Sequence, residues 1–317
     1  MIVFGAYVRL TDAGLGCPDW PGCYGSFSAP STASEISANK SEWDLEQFDA
    51  GKAWREMVHR YLAALLGLGI FITAISRCRA SGFCSSNYPL FAAVPLVLVQ
   101  GMLGMFTVTL LLQPLVVTAH LLGGLTILVC LWWDSLMLIG FTSGKIKTRI
   151  NIHSLAIIGL LVLMLQILLG GWTSTNYAAL ACVDFPKCQG VWWPNTDFKG
   201  GFSFWGPLGQ SYEFGVLDTP ARTAIHMAHR VGALVVFGFL AVLAFLSIFK
   251  GDKSLSRAGC VVLALLLLQV CLGVANVVAG LPLYIAVAHN GVASLLLLSI
   301  VTILFLTRTQ TRNFYGG

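Results

Sequence analysis

The stretch GAYVRLTDAGLGCPDWPGCYG at residues 5–25 returns as GGWTSTNYAALACVDFPKCQG at residues 170–190, with eight of 21 positions identical. Both cysteines match, as do Asp19 with Asp184 and Pro21 with Pro186. At a slightly larger offset, Met57-Val58-His59-Arg60 pairs with Met227-Ala228-His229-Arg230, Gln100 and Gly104 with Gln269 and Gly273, and Ala119-His120 with Ala288-His289. The order is the same in both halves, so the chain reads as two copies of one unit.

Of 317 residues, 56% are apolar and 10% charged, with a mean hydropathy of +0.79, whereas soluble domains carry about 25% charged residues. A soluble globular enzyme is excluded. Seven apolar runs are long enough for a membrane span, which takes roughly 17–25 residues: 60–76, 88–112, 115–140, 152–173, 223–249, 258–280 and 282–307. Residues 1–8 are apolar but short, and read as an eighth, truncated helix. Each unit is then a helix, a polar loop with a cysteine pair, and three more helices. Four crossings per unit give both copies the same topology, as parallel repeats have. The expected fold is an all-α polytopic membrane protein of two pseudo-symmetric four-helix transmembrane bundles, residues 1–145 and 150–310. The net charge is +5, but the basic residues fall in ones and twos between apolar runs, which argues against nucleic acid as a partner.

The short connections carrying Arg77 and Arg79, then Lys145, Lys147 and Arg149, then Lys250, Lys253 and Arg257, and the tail with Arg308 and Arg312, hold one acid, Asp252. By the positive-inside rule they are cytoplasmic. The polar segments 11–58 and 174–222 hold twelve of the fourteen acids, and are placed outside with Trp20, Trp54, Trp192 and Trp205 at the membrane surface. An oxidising exterior makes Cys17 with Cys23, and Cys182 with Cys188, two expected disulfides. Cys78 and Cys84 share that spacing but fall on the cytoplasmic side, and read as reduced thiols. Cys130, Cys260 and Cys271 read as helix packing residues. Ser26 to Gln47 reads as a polar surface insertion.

Four of the six histidines are the repeated ones, His59, His120, His229 and His289. Each half thus has two imidazoles at similar depth on helices that start outside. Opposed neutral imidazoles suit the two axial sites of a heme, whose macrocycle supplies the other four ligands. Zinc or copper wants more protein ligands. The plainer alternative is that buried histidines only hydrogen-bond between helices. Arg60 and Arg230 follow two of these histidines, and either pair with heme propionates or snorkel at the interface. Glu56 lies three residues before His59, on the same face if the helix reaches it, and the matching position holds His226. It is either a functional carboxylate or a solvated acid at a helix start. His153 reads as interfacial, Asp134 as a lone acid reaching water, and Gly123-Gly124 and the Gln-x-x-x-Gly pairs as close-packing sites.

With RLTDAGLGCPDWP, EMVHR, TAHLLGGL, CVDFPKCQG, HMAHR and VAHNG in view, the chain resembles the heme A synthase family over nearly its whole length. The resemblance implies a membrane oxidoreductase that converts the C8 methyl of heme O to a formyl group by successive hydroxylations, giving heme A. It implies eight helices in two halves, residues 1–145 taking the substrate heme and residues 150–310 a resident heme b. The family's heme-facing histidines fall on His59, His120, His229 and His289, its outer acid on Glu56, and its cysteine pairs on Cys17 with Cys23 and Cys182 with Cys188. By the same likeness the chain sits in the inner membrane with its cysteine loops periplasmic, works beside heme O synthase and cytochrome oxidase assembly factors, and leaves homo-oligomerisation open. The residues alone also suit a bis-histidine electron-transfer cytochrome or a heme carrier. A prenyltransferase is disfavoured, since no Asp-rich diphosphate motif is present.

Overall fold

The structure, a computed structural model, describes residues 1–37, 43, 48–81, 89–140 and 151–308. Among these residues the regular structure is helical: α1 (Ile2–Leu10), α2 (Ala33–Ser37), α3 (Ala50–Ser81), α4 (Pro89–Thr109), α5 (Pro114–Leu138), α6 (Ile152–Thr175), α7 (Phe198–Gly201), α8 (Thr219–Lys250), α9 (Lys253–Val278) and α10 (Leu283–Thr307). Seven of them, α3 to α6 and α8 to α10, are long and apolar enough to cross a membrane. The chain is a multi-pass membrane protein.

The helix starts follow from local chemistry. Side-chain oxygens of Gln113, Asn151, Asp218 and Asp252 each accept a hydrogen bond from the backbone N–H three residues on, which satisfies donors that the first turn leaves free. Pro114 and Pro220 stand in first turns, where a missing N–H costs nothing. The polar segment expected to run to residue 58 instead turns helical at Ala50, so Glu56 does share a helix with His59.

In packing order, α1 touches α3 and α5, α3 touches α4, and α4 touches α5; likewise α6 touches α8 and α10, α8 touches α9, and α9 touches α10. The two groups meet where α10 lies against α1 and α5, and where α5 lies against α6. Helix α10 is therefore central and the most buried of the seven. The main core joins Leu125 of α5 to Leu163, Leu240, Leu266, Leu297 and Ile300. A smaller cluster of Ile70, Ala74, Leu90, Ala93 and Ile127 holds α3, α4 and α5 together. Side chains such as Leu234, 73% exposed, point outward from the bundle, as lipid-facing residues do.

Backbone detail repeats between the halves. The peptides Trp20–Pro21 and Phe185–Pro186 are both cis, and Asp12 with Tyr177, Tyr24 with Gln189, and Leu112 with Leu281 all have positive φ. Gly25 at φ 76 and Gly190 at φ 79 occupy the left-handed region that glycine enters without steric cost. Bridges between Cys23 and Ser26 and between Cys188 and Val191 close the two loops identically.

Candidate functional site

The four repeated histidines lie within the first three turns of α3, α5, α8 and α10, the helices that begin at the disulfide-loop end. At about 1.5 Å rise per residue this gives them similar depth. Each is half-buried. The helices of each pair are bridged by one neighbour, α3 and α5 by α4, and α8 and α10 by α9. The His59 ring stacks against Phe4 at 6.1 Å and 17°. The other three have glutamine neighbours. Gln100 Nε2 donates to the His120 carbonyl at 2.6 Å, Gln166 Nε2 lies 3.0 Å from His229 Nδ1 and donates to its carbonyl at 2.9 Å, and Gln269 Nε2 lies 3.3 Å from His289 Nε2.

These residues fit a heme. His120 Nδ1 and His289 Nδ1 are buried without a hydrogen-bond partner, an expensive state unless a ligand uses the ring. Among the described residues no three His, Cys, Asp or Glu side chains gather to hold a metal ion. Two imidazoles per half are too few for bare zinc but match a metal that brings its own four nitrogens.

Beside each first histidine stands a clasp. Glu56, 5% exposed, accepts from the Cys17 N–H through Oε2 at 2.8 Å and from Arg60 Nη2 through Oε1. Arg60 Nη1 donates to the carbonyls of Asp19 and Gly22. In the second half, the Cys182 N–H meets His226 Nδ1 at 3.4 Å and Arg230 Nε meets His226 Nε2 at 3.1 Å, while the Arg230 terminal nitrogens donate to the carbonyls of Lys187, Cys182 and Asp184. Both arginines are spent on their loops. Asp19 accepts from the N–H groups of Tyr24 and Gly25, and Asp184 from those of Gln189 and Gly190. The Gly190 N–H, then that of Gln189, holds the Asp184 carboxyl below the usual carboxylate range.

A family model described as COX15-CtaA, cytochrome oxidase assembly protein, matches residues 1–301. The chain belongs to this family. A relative from Shewanella oneidensis named heme A synthase is 45% identical, covering 96% of this chain and 91% of its own. Heme A synthases from Rhizorhabdus wittichii and Halalkalibacterium halodurans are 26% and 24% identical over 95% and 99% of this chain, and 88% and 93% of their own.

In this family member the disulfides Cys17–Cys23 and Cys182–Cys188 are both formed, each with Cα atoms 4.7 Å apart. Three sequence readings are corrected. Cys78 is disulfide-bonded rather than a reduced thiol, and Cys84 lies outside the described residues. Cys260 and Cys271 are exposed on the bundle surface rather than packed inside, while Cys130 is half-buried. Asp134 is buried and paired with Arg77 at 2.6 Å rather than lone, because an acid in an apolar bundle must find a countercharge. His153 is half-buried, its Nδ1 2.9 Å from Thr307 Oγ1. Lys145, Lys147, Arg149 and Arg312, and most of the insertion after Ser37, lie outside the described residues.

Sequence reasoning missed Gln166. It has no glutamine mate in the first half, so a search built on matched residues passes over it. Its place one turn before Gly170, on the same face, was the available signal.

Proposed function

We propose that this chain is a heme A synthase of the inner membrane, oxidising the C8 methyl of heme O to the formyl group of heme A. The observation that carries the reading is the repeated pair of half-buried histidines, set in a chain 45% identical to a heme A synthase. We assign the substrate heme O to residues 1–145, between His59 and His120, and a heme b to residues 150–310, between His229 and His289. A bound heme b would supply one-electron transfer. The cysteine loops lie on the periplasmic side, consistent with basic residues such as Arg77, Arg79, Lys250 and Lys253 at the opposite helix ends.

Glu56, His59 and His120 are the proposed catalytic set. Methyl oxidation releases protons and builds positive charge next to the macrocycle, which a nearby carboxylate stabilises or relieves. Glu56 is the one group that differs in kind between the clasps. His226 stands in the same place with a neutral ring that can accept one hydrogen bond, whereas the carboxylate accepts both and carries charge. Arg60 and Arg230 hold the loops over the two sites and so act on heme through the loops that cover it.

The test is extraction and mass analysis of hemes from membranes of a host that makes heme O but no heme A, with and without this chain. Heme A or its hydroxylated precursor is expected with the chain and absent without it. Glu56→Gln is expected to cut conversion about 100-fold or more, the usual worth of a positioned acid or base. Full conversion by Glu56→Gln removes Glu56 from the catalytic set, and no heme A from the unaltered chain refutes the function.

A further inference from the structure

We propose that Gly5, Gly104, Gly170 and Gly273 are positioning residues for heme, each a recess in one helix that receives the ring of a histidine from a helix packed against it. The inference rests on the reading that the four histidines hold heme. A Cβ added at Gly5 would lie 3.0 Å from His59 Nε2, at Gly104 3.3 Å from His120 Cε1, at Gly170 3.1 Å from His229 Cε1, and at Gly273 3.2 Å from His289 Cε1. At all four positions the nearest atoms belong to that one ring.

This is not a general property of the helix glycines. Gly159 faces leucines and a phenylalanine, Gly171 faces Leu121 and Thr118, Gly123 and Gly232 face glutamines, and Gly69, Gly101 and Gly238 face open space. Among the described residues, the helix glycines that face the repeated histidines are the ones that themselves repeat. Glycine inside a helix costs roughly 0.5–1 kcal/mol relative to alanine, so four at matched places call for a cause. The ring supplies it.

The contact bears on ligation because of where it falls. In three of the four seats the nearest atom is Cε1, the carbon between the two ring nitrogens. A push there re-aims both nitrogens at once. A methyl at 3.1–3.3 Å forces the ring back by a few tenths of an ångström, and a liganding group must be held within about 0.5 Å and 10–20° to work. The glycines touch no reacting atom, so they act through the histidines.

The experiment uses the full chain purified in detergent, with Gly170→Ala and Gly273→Ala in the second half and Gly238→Ala as the control whose new methyl meets nothing. Electron paramagnetic resonance reads the low-spin g-values of the bound heme, and heme per protein is measured alongside. The control is expected to match the unaltered protein. The two seat variants are expected to shift the g-values and to retain heme about 10-fold less well, the usual effect of disturbing what supports a metal ligand. The g-values are read per bound heme, so a fall in yield with unchanged g-values and occupancy counts against the seats. Seat variants identical to the control overturn the inference while leaving the heme reading intact. An unaltered protein with no low-spin heme overturns that reading, and the seats with it.

Discussion

Glu56 and His226 face the same two donors, a cysteine N–H and an arginine, at matching positions, and the neutral His226 ring accepts from only one of them, so the second loop is held without a carboxylate. Glu56→His writes the second half's residue into the first. The chain is expected to accumulate with Cys17–Cys23 intact to thiol labelling, while heme A output falls about as far as in Glu56→Gln. Full output from Glu56→His would reduce Glu56 to a strut. Glu56→Ala is a different change: it strands the buried Cys17 N–H, at a cost of about 1–3 kcal/mol, and reduced accumulation is expected. On the other side, His229→Ala or His289→Ala is expected to abolish the resident low-spin spectrum, and unchanged heme content would remove them as ligands. Gln166→Leu removes the amide against His229 Nδ1; a partner of this kind sets ring orientation and ligand basicity, so a shifted heme reduction potential with the protein level unchanged is expected. The histidines were legible in the sequence because duplication marks them. Gln166 was not, since it occurs in one copy only, and the clasp made by Arg60 was not, since carbonyl acceptors leave no trace in residue identity.

At the scale of the element, the disulfide loops are held by arginine as well as by sulfur. Arg230 reaches the carbonyls of Cys182, Asp184 and Lys187 with its terminal nitrogens and His226 with Nε. A lysine carries its three N–H donors on a single nitrogen and cannot span that set. Arg230→Lys is therefore expected to leave the helices in place yet speed reduction of Cys182–Cys188 by dithiothreitol, read as faster maleimide labelling; an unchanged rate would show that the loop holds itself. Asp184 adds a pH dependence whose sign is fixed. Its folded pKa is depressed by the Gly190 and Gln189 N–H groups, so its contribution is present above the ordinary carboxylate range and is lost as pH falls through the lowered value. Acid should loosen the loop, read by reduction with a phosphine, which unlike dithiothreitol stays reactive at low pH, each rate being divided by that of a free peptide with the same disulfide; Asp184→Ala should flatten that response. The helix list was largely readable from apolar run length, but the ends were not. Helix α3 begins at Ala50 on polar residues that hydropathy assigns to a loop, because Asp49 caps it through the Lys52 N–H and Ala53 and Met57 bury against the disulfide.

At the scale of the molecule, α10 packs against α1, α5, α6 and α9, and a polar cluster at the disulfide end joins α1 to the segment after α6 through matched residues of the sequence repeat. Asp12 and Tyr177 occupy matching places, each just after the first helix of its unit and each at positive φ, and the Tyr177 hydroxyl donates to Asp12 Oδ1 at 3.0 Å. Arg9 binds both halves at once. It donates to the Ser174 carbonyl at 2.6 Å, lies 3.5 Å from Asp12, and stacks over the Tyr177 ring at 4.1 Å. Sequence comparison identifies Asp12 and Tyr177 as equivalent but sees them as a mismatch; only the folded chain shows that equivalent positions face each other where the copies join. Because the three side chains share partners, their effects are expected to be non-additive. Tyr177→Phe should cost about 1 kcal/mol for its hydrogen bond, and Arg9→Ala more, since it loses the cation–π contact as well. In the double variant the total should fall short of the sum by about 0.5–1 kcal/mol, the low end of the range for residues in contact, since the shortfall cannot exceed what Tyr177→Phe costs alone. Thermal unfolding of the four proteins in one detergent measures this. Strict additivity would mean that Arg9 and Tyr177 hold the cluster independently, through the Ser174 carbonyl and Asp12 alone.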